Sequence, residues 1–307
     1  MSKRLPNDAE LERAWMEAQG PAVPALAAYV AEARTDFDAF YFYTYLYATT
    51  YFALPGVRER AALFPLAHDE WPLRMGLWDE FFRLPRAVVA LGVDERHLLE
   101  RRFGNLSNLF TEIATGIEGP SVAPEPDRFR ARHTGGKPFL LYLGRVDLAK
   151  NCDELIADYL ALPVGERANL PLVLAGPLQM AVPPDPTIVA LGEVEETTKW
   201  DALAACEALV IPSQYESMSY VALEAWSVAR PVLASGRSSV LIGQCRRSGG
   251  GVWYANRAEF AALVESRLFG KADALGAQGH RYATAHFAWE AIERQHLNLA
   301  SRIFGGT

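Results

Sequence analysis

Apolar and polar positions along this chain fall into blocks that read alternately as helix and strand. "DAELERAWMEAQG" and "VPALAAYVAEAR" carry helical spacing and are separated by Gly20-Pro21, a pair that breaks a helix. Four apolar runs follow, "DAFYFYTYL", "RAALFPLA", "RAVVALG" and "NLFTEIATGI", with helical patterns such as "PLRMGLWDEFFRL" and "DERHLLERRF" between them. The stretch "EGPSVAPEPDRFRARHTGGKP" is rich in Pro, Gly and charge and reads as a linker. A second series then opens with the strand "FLLYLGRV", the helix "AKNCDELIADYLAL" and the strands "PLVLAGP" and "PTIVALGEV". It continues with the helix "TTKWDALAACEA", the strand "LVIPS", the helix "YVALEAWSVA" and the strand "PVLAS". "GGVWYAN" and helices over "RAEFAALVESRLF" and "AWEAIERQHLNLASRIF" complete it.

Strands alternating with helices imply parallel sheets of α/β type, and near-continuous apolar strands imply sheets covered on both faces. The expected architecture is two Rossmann-like domains facing a cleft, with ligands at the carboxyl ends of the strands. The expected boundaries are an abbreviated N-terminal domain over 1–120, a second domain over 121–285, and a final helix, 286–307, packing back on the first domain.

Composition narrows the picture further. Half of the 307 residues are apolar, enough for two cores, and the formal charge of −7 argues against nucleic acid as a partner. Cys152, Cys206 and Cys245 are far apart and match no metal or redox spacing, which fits a reducing, cytoplasmic compartment. "MSKRLPNDAELERAW" has no apolar stretch after its basic residues, so no signal peptide is expected.

Two glutamates, Glu216 and Glu224, lie eight positions apart in "YESMSYVALEAWSVARPVLAS", on either side of a helix start that follows a buried strand. The loop Glu216-Ser217-Met218-Ser219 offers a carboxylate, two hydroxyls and the free N–H groups of a helix start, which suit a phosphate. Glu224, further into the helix, can accept hydrogen bonds from a vicinal diol such as ribose. The same spacing also fits a surface helix with two solvated glutamates. "YLGRVDLAKN" sets Arg145 at a strand end directly after Gly144, with Lys150 five residues on. Two cations converging there suit a diphosphate whose charge grows as it leaves; two solvated surface cations are the alternative.

Taken in order, "GRVDLAKN", "LVLAGP", "LGEV", "LVIPSQYESMSYVALEAWSVARPVLASG" and "GQCRRSGGGVWY" resemble the group 1 glycosyltransferases, glycosyltransferase family 4, of GT-B fold. The resemblance implies a retaining, metal-independent hexosyltransferase-like enzyme that uses a nucleotide-activated sugar and no cofactor. It implies that Arg145 and Lys150 hold the donor diphosphate, beside Gly144. Glu216 would contact hydroxyls of the transferred sugar and Glu224 the ribose. Backbone groups from Met218 through Ser219 to Tyr220 would lie near phosphates and sugar, with Gly192 to Val194 bordering the base. One departure stands out: the loop commonly reads Glu-Gly-Phe-Gly, and here it is Glu216-Ser217-Met218-Ser219, which reads as a subgroup variant with less room for φ > 0.

In the N-terminal half, "AALFPLAHDE" ends a strand with His68-Asp69-Glu70. The resemblance implies a His68 that faces the donor sugar; a capping Asp69 and a His68 satisfied in the core are the alternatives. Asp36-Phe37-Asp38 looks like a metal-binding Asp-X-Asp but precedes its strand, so a turn is expected. The run "FYFYTYLY" is read as a strand with Phe40 and Phe42 on one face and Tyr41, Tyr43 and Tyr45 on the other, Tyr45 and Tyr47 being candidate acceptor contacts. Arg83, Arg86, Arg96, Arg101 and Arg102 fit a solvated helix face, with peripheral membrane contact as the alternative.

The N-terminal half lacks the glycine-rich turn after a first strand that a GT-B domain usually has. An abbreviated sheet leaves an open edge. "MSKRLPNDAE" reads as a genuine start, so the expectation is a natural short form whose edge a homodimer or a partner chain covers. The alternative to an enzyme is a nucleotide-sugar-binding subunit of a split glycosyltransferase.

Overall fold

The structure is a computed structural model that describes residues 8–106, 109–267 and 272–304. The chain divides into two compact units, Met1–Thr115 with Glu290–Thr307, and Gly116–Trp289.

The first unit begins with helices α1 (Ala9–Gln19) and α2 (Pro24–Glu32) and continues β1 (Phe40–Tyr43), α3 (Ala48–Ala53), β2 (Ala61–Phe64), α4 (Trp78–Phe81), β3 (Ala87–Ala90), α5 (Val93–Phe103) and β4 (Leu109–Glu112). Asp8 caps α1 by accepting from Leu11 N. The sheet runs β1-β2-β3-β4, all parallel, in simple chain order. β2 and β3 are buried along their whole length, so their side chains are apolar without alternation. β1 pairs only with β2 and is an edge; it is four residues long. The core forms around Trp78, Phe82, Leu63, Val88 and Leu99.

Three expectations need correction here. Thr44 takes a positive φ of 60° and ends β1, so Tyr45 does not continue the strand. Its ring is instead fully buried, 4.8 Å from Trp78 and 5.7 Å from Phe82, while Tyr47 is exposed. The segment "PLRMGLWDEFFRL" is not one helix but a 3-10 turn at Trp71–Arg74 followed by the short α4, with extended Met75 between them. Arg102 is not a solvated side chain: it bonds Asp79 at 2.8 Å and the carbonyls of Leu73 and Met75.

The second unit comprises α6 (Pro126–His133), β5 (Leu140–Leu143), α7 (Cys152–Leu160), α8 (Val164–Asn169), β6 (Leu172–Ala175), β7 (Ile188–Gly192), α9 (Glu196–Ala205), β8 (Ala208–Ile211), α10 (Tyr220–Ser227), β9 (Val232–Ser235), α11 (Ser239–Ser248), β10 (Gly251–Tyr254), α12 (Arg257–Glu265) and α13 (Ala272–Phe287). The last helix, α14 (Trp289–Phe304), belongs to the first unit from Glu290 onward, where His296 stacks on Phe64 at 5.6 Å. The stretch read as a linker therefore contains a helix: Pro126 opens α6, Phe129 packs 5.3 Å from Phe139, and the Glu125 N–H donates to Asp201.

The second sheet has six parallel strands in the order β10-β9-β8-β5-β6-β7. The chain builds outward from β5 to β7, then returns to the other side of β5 with β8, β9 and β10. That reversal puts a topological switch point between β5 and β8, where an open α/β sheet forms its ligand crevice. Cys152, Cys206 and Cys245 are free thiols buried in this unit. Burial pushes the last two up to about 12.

Candidate active site

The loops that follow β5 and β8 meet at this switch point. After β5 come Gly144 and Arg145, then a 3-10 turn, Leu148–Lys150, capped by Asp147, whose carboxylate accepts from Lys150 N at 2.8 Å. Asn151 takes a left-handed conformation, and its side chain accepts from the Gln214 N–H at 3.2 Å, tying this turn to the segment after β8. Lys150 Nζ then reaches Glu216 Oε1 at 2.9 Å. Glu216 is the more buried partner, with 13 % of its side chain exposed against 34 % for Lys150.

Arg145 lies beside this pair on the same strand end. Its backbone carbonyl accepts from the Tyr142 hydroxyl at 2.6 Å, while its guanidinium is half exposed, 3.5 Å from Asp147. No contact joins Arg145 directly to the 217–220 loop among the described residues; the two are linked through Asp147 and Lys150.

Ser219 is the N-cap of α10, but its hydroxyl does not cap the helix. It is buried with no partner among the described residues, and the Ser219 N–H instead donates to Gln244 Oε1 at 3.2 Å. Met218 is buried under the loop, Ser217 is half-buried, and Tyr220 is exposed. The helix start thus keeps its first N–H groups free of side-chain caps, the arrangement that attracts an anion.

Glu224 sits on α10 and is held by Lys199 of α9 at 2.9 Å. Lys199 also bonds Glu196 and lies over the Trp200 ring. Burial alone lowers the Lys199 pKa, but the hydrogen bonds that Lys199 donates to Glu196 and Glu224 outweigh this and leave the ammonium above its usual range. Sequence reasoning missed both Lys199 and Gln244. Lys199 stands three positions after Glu196 on a helix, which reads as a surface pair, and nothing local announces its reach to Glu224. Gln244 carries no charge and lies in a segment without a clear period.

Gly192 ends β7 with its carbonyl accepting from Gly176 N at 2.7 Å, and Val194 is half-buried just beyond it. Gly144 N in turn donates to Ala175 O at 2.9 Å, so the ends of β5, β6 and β7 are laced together. Gly176 has φ of 137°, and a Cβ there would collide with the Gly144 carbonyl. Only glycine allows this approach.

His68 is in the first unit, in the loop after β2, with its Nδ1 3.6 Å from Glu70. Glu95 of α5 supports that loop from below: its two oxygens accept from Ala67 N and Leu91 N, each at 2.7 Å. Burial pushes Glu95 up to about 7, against the opposing effect of those N–H donors. Among the described residues, no group of three or more His, Cys, Asp and Glu side chains is arranged to hold a metal ion.

The family described as glycosyl transferases group 1 matches residues 137–268, which span every site residue of the second unit. Over those residues the second unit resembles a group 1 glycosyltransferase domain. Among solved structures, the chain is similar to the sucrose-phosphate synthase of Thermosynechococcus elongatus, with a TM-score of 0.75 at 18 % identity, covering 94 % of this chain and 82 % of that one. It is similar to Anabaena HepE in complex with UDP and glucose, with a TM-score of 0.73 at 15 % identity, over 91 % and 82 % of the two chains. It is similar also to a UDP-forming α,α-trehalose-phosphate synthase from Burkholderia vietnamiensis, with a TM-score of 0.72 at 12 % identity, over 97 % and 79 %. No curated protein sequence matches significantly. The two parallel-sheet units and their likeness to these structures bear out the GT-B-like fold class that the motifs suggested. Among the described residues no helix is long and apolar enough to cross a membrane.

Proposed function

We propose that the protein is a retaining, metal-independent glycosyltransferase that takes a sugar from a nucleoside-diphosphate donor and needs no further cofactor. The observation that carries this reading is the Lys150–Glu216 pair, 2.9 Å apart at the switch point of the sheet. It sets a cation and a carboxylate side by side where a diphosphate and a sugar would lie.

In the free protein Lys150 and Glu216 neutralise each other. A donor diphosphate competes for the Lys150 ammonium and releases Glu216 to accept hydrogen bonds from sugar hydroxyls. As the anomeric C–O bond breaks, negative charge collects on the leaving diphosphate. Arg145, Lys150 and the uncapped N–H groups of α10 stabilise it, each such donor contributing roughly 2.7 to 4 kcal/mol. The leaving phosphate takes the acceptor proton, so the reaction requires no protein base. Glu224, aligned by Lys199, holds the ribose, and Gly192 and Val194 border the base. The three buried thiols fit a reducing, cytoplasmic setting.

The test is a thermal-shift panel of UDP-, GDP- and ADP-sugars, followed by donor turnover with the stabilising compound. Stabilisation by one donor, with turnover that Lys150→Ala lowers at least about a hundredfold, is the expected result. No stabilisation by any nucleotide sugar would refute the reading. The four-stranded first sheet, with β1 at its edge, favours a second reading as a nucleotide-sugar-binding subunit completed by another chain or a second copy. Donor binding without turnover, restored by a partner, would select it.

A further inference from the structure

The first unit carries a second concentration of chemistry, on the side of its sheet away from His68. β2 ends at Phe64, toward His68; the opposite, amino-terminal edge is formed by the residues just before β2 and β3 and by Leu109 at the start of β4. There the Arg86 N–H donates to the Arg58 carbonyl at 2.9 Å and the Leu109 N–H to the Arg86 carbonyl at 3.1 Å, fixing the strand starts against one another. A cavity of about 490 Å³ opens on this edge. Four arginines line it, Arg58, Arg83, Arg86 and Arg302, against a single carboxylate, Glu59. A neighbouring cavity of about 310 Å³ shares Arg58 and Glu59 and adds Arg34 and Arg60.

Four other arginines of this unit are matched with carboxylates: Arg13 with Glu17, Arg74 with Asp69, Arg96 with Glu100 and Arg102 with Asp79. The arginines around the larger cavity are not so matched. Arg58, Arg86 and Arg302 have no carboxylate partner among the described residues. Arg83 is anchored by the carbonyls of Phe103 and Asn105, at 3.1 and 3.2 Å, which hold the guanidinium in place but leave its charge uncompensated. In a chain of net charge −7, this is a local excess of positive charge facing one solvent-filled space. Guanidinium groups turned toward a common space repel one another, and a doubly charged anion relieves that repulsion. Their planar forks match phosphate oxygens two at a time, and the volume lies within the range of about 300 to 1,000 Å³ typical of ligand sites.

We propose that this edge is a phosphate-binding site, separate from the donor site of the second unit, and that its ligand is a phosphate ester or diphosphate. The group belongs either to a soluble compound or to a lipid headgroup. The proposal does not depend on the glycosyltransferase reading.

The experiment uses the full chain and two probes. One is inorganic pyrophosphate, titrated calorimetrically with the Lys150→Ala variant as background so that the donor site contributes little. The other is flotation with vesicles of phosphatidylcholine containing phosphatidylglycerol, against phosphatidylcholine alone. Replacing Arg86 and Arg302 together by alanine should weaken binding of at least one probe by about tenfold or more, the loss expected when charged hydrogen bonds are removed. With Lys150 intact, the Arg86 and Arg302 double variant should be stabilised by a nucleotide sugar as the parent chain is. Loss confined to pyrophosphate identifies a soluble ligand, and loss on vesicles identifies a headgroup. The proposal is overturned if neither probe binds the parent chain, or if both bind the double variant as they bind the parent. Should the double variant melt early, Arg58→Gln alone carries the same reading.

Discussion

Lys150 and Glu216 meet at 2.9 Å across 66 positions of sequence, each delivered by a different strand of the same parallel sheet. The pair is partly solvated, so its contribution to stability is small, about 1 kcal/mol or less. Its importance lies in what each partner does once the other is displaced.

Lys150→Ala should therefore lower the rate of sugar transfer by roughly a hundred- to a thousandfold while leaving the melting temperature nearly unchanged. Initial rates at saturating donor, with a melting curve on the same sample, check both halves of the statement. A variant that transfers sugar at the parental rate removes Lys150 from the mechanism.

On the proposed function, Lys199 acts through Glu224 as a positioning residue. Lys199→Met frees the Glu224 carboxylate to turn away from a ribose, so nucleoside diphosphates should bind about tenfold more weakly, whereas pyrophosphate, which has no ribose, should bind as before. Calorimetry with both ligands separates this role from a general loss of fold, which would weaken the two together.

Gly176→Ala brings a Cβ against the Gly144 carbonyl at a φ of 137°. Strain and collision together should destabilise the second unit by about 2 kcal/mol or more and unlace the ends of β5 and β6. Chemical denaturation reads the cost; an unchanged midpoint would mean that the two loops separate freely.

Glu95 makes the first unit sensitive to pH. Its carboxyl titrates near 4.5 when unfolded and is pushed up to about 7 in the fold, chiefly by burial. Between these values the native state holds a proton that the unfolded chain has released. Its contribution to stability accordingly falls as pH rises from about 4.5 to about 7 and is level above that. Glu95→Gln should flatten this slope, and melting temperatures measured through that window test it.

Much of the second sheet was legible because its inner strands are apolar without interruption, and a strand end in an open α/β sheet points to a ligand whatever the fold around it. That is why Arg145, Lys150, Glu216 and Glu224 could be placed at the strand ends and helix of the switch point from spacing and resemblance. The Lys150–Glu216 and Lys199–Glu224 pairings could not, because both join residues distant in sequence, and local periodicity carries no register between elements. Tyr45 misled for a related reason: the alternation of "FYFYTYLY" runs on, but Thr44 turns the backbone and sends the ring into the core. Helix α13 went unread because Gly276 and Gly279 look like breakers. In the fold they permit close packing: a Cβ at Gly276 would strike the Ala229 carbonyl, and one at Gly279 the ring of the buried Trp226.

The three cysteines give the molecule a built-in reporter. All of them lie in the unit Gly116–Trp289 and none in the other, and all are closed off from water. A chromogenic disulfide reagent should thus leave the native chain untouched and colour only as that unit opens. Compared with fluorescence from the tryptophans of both units, the labelling rate would show whether the two halves melt as one body or in sequence.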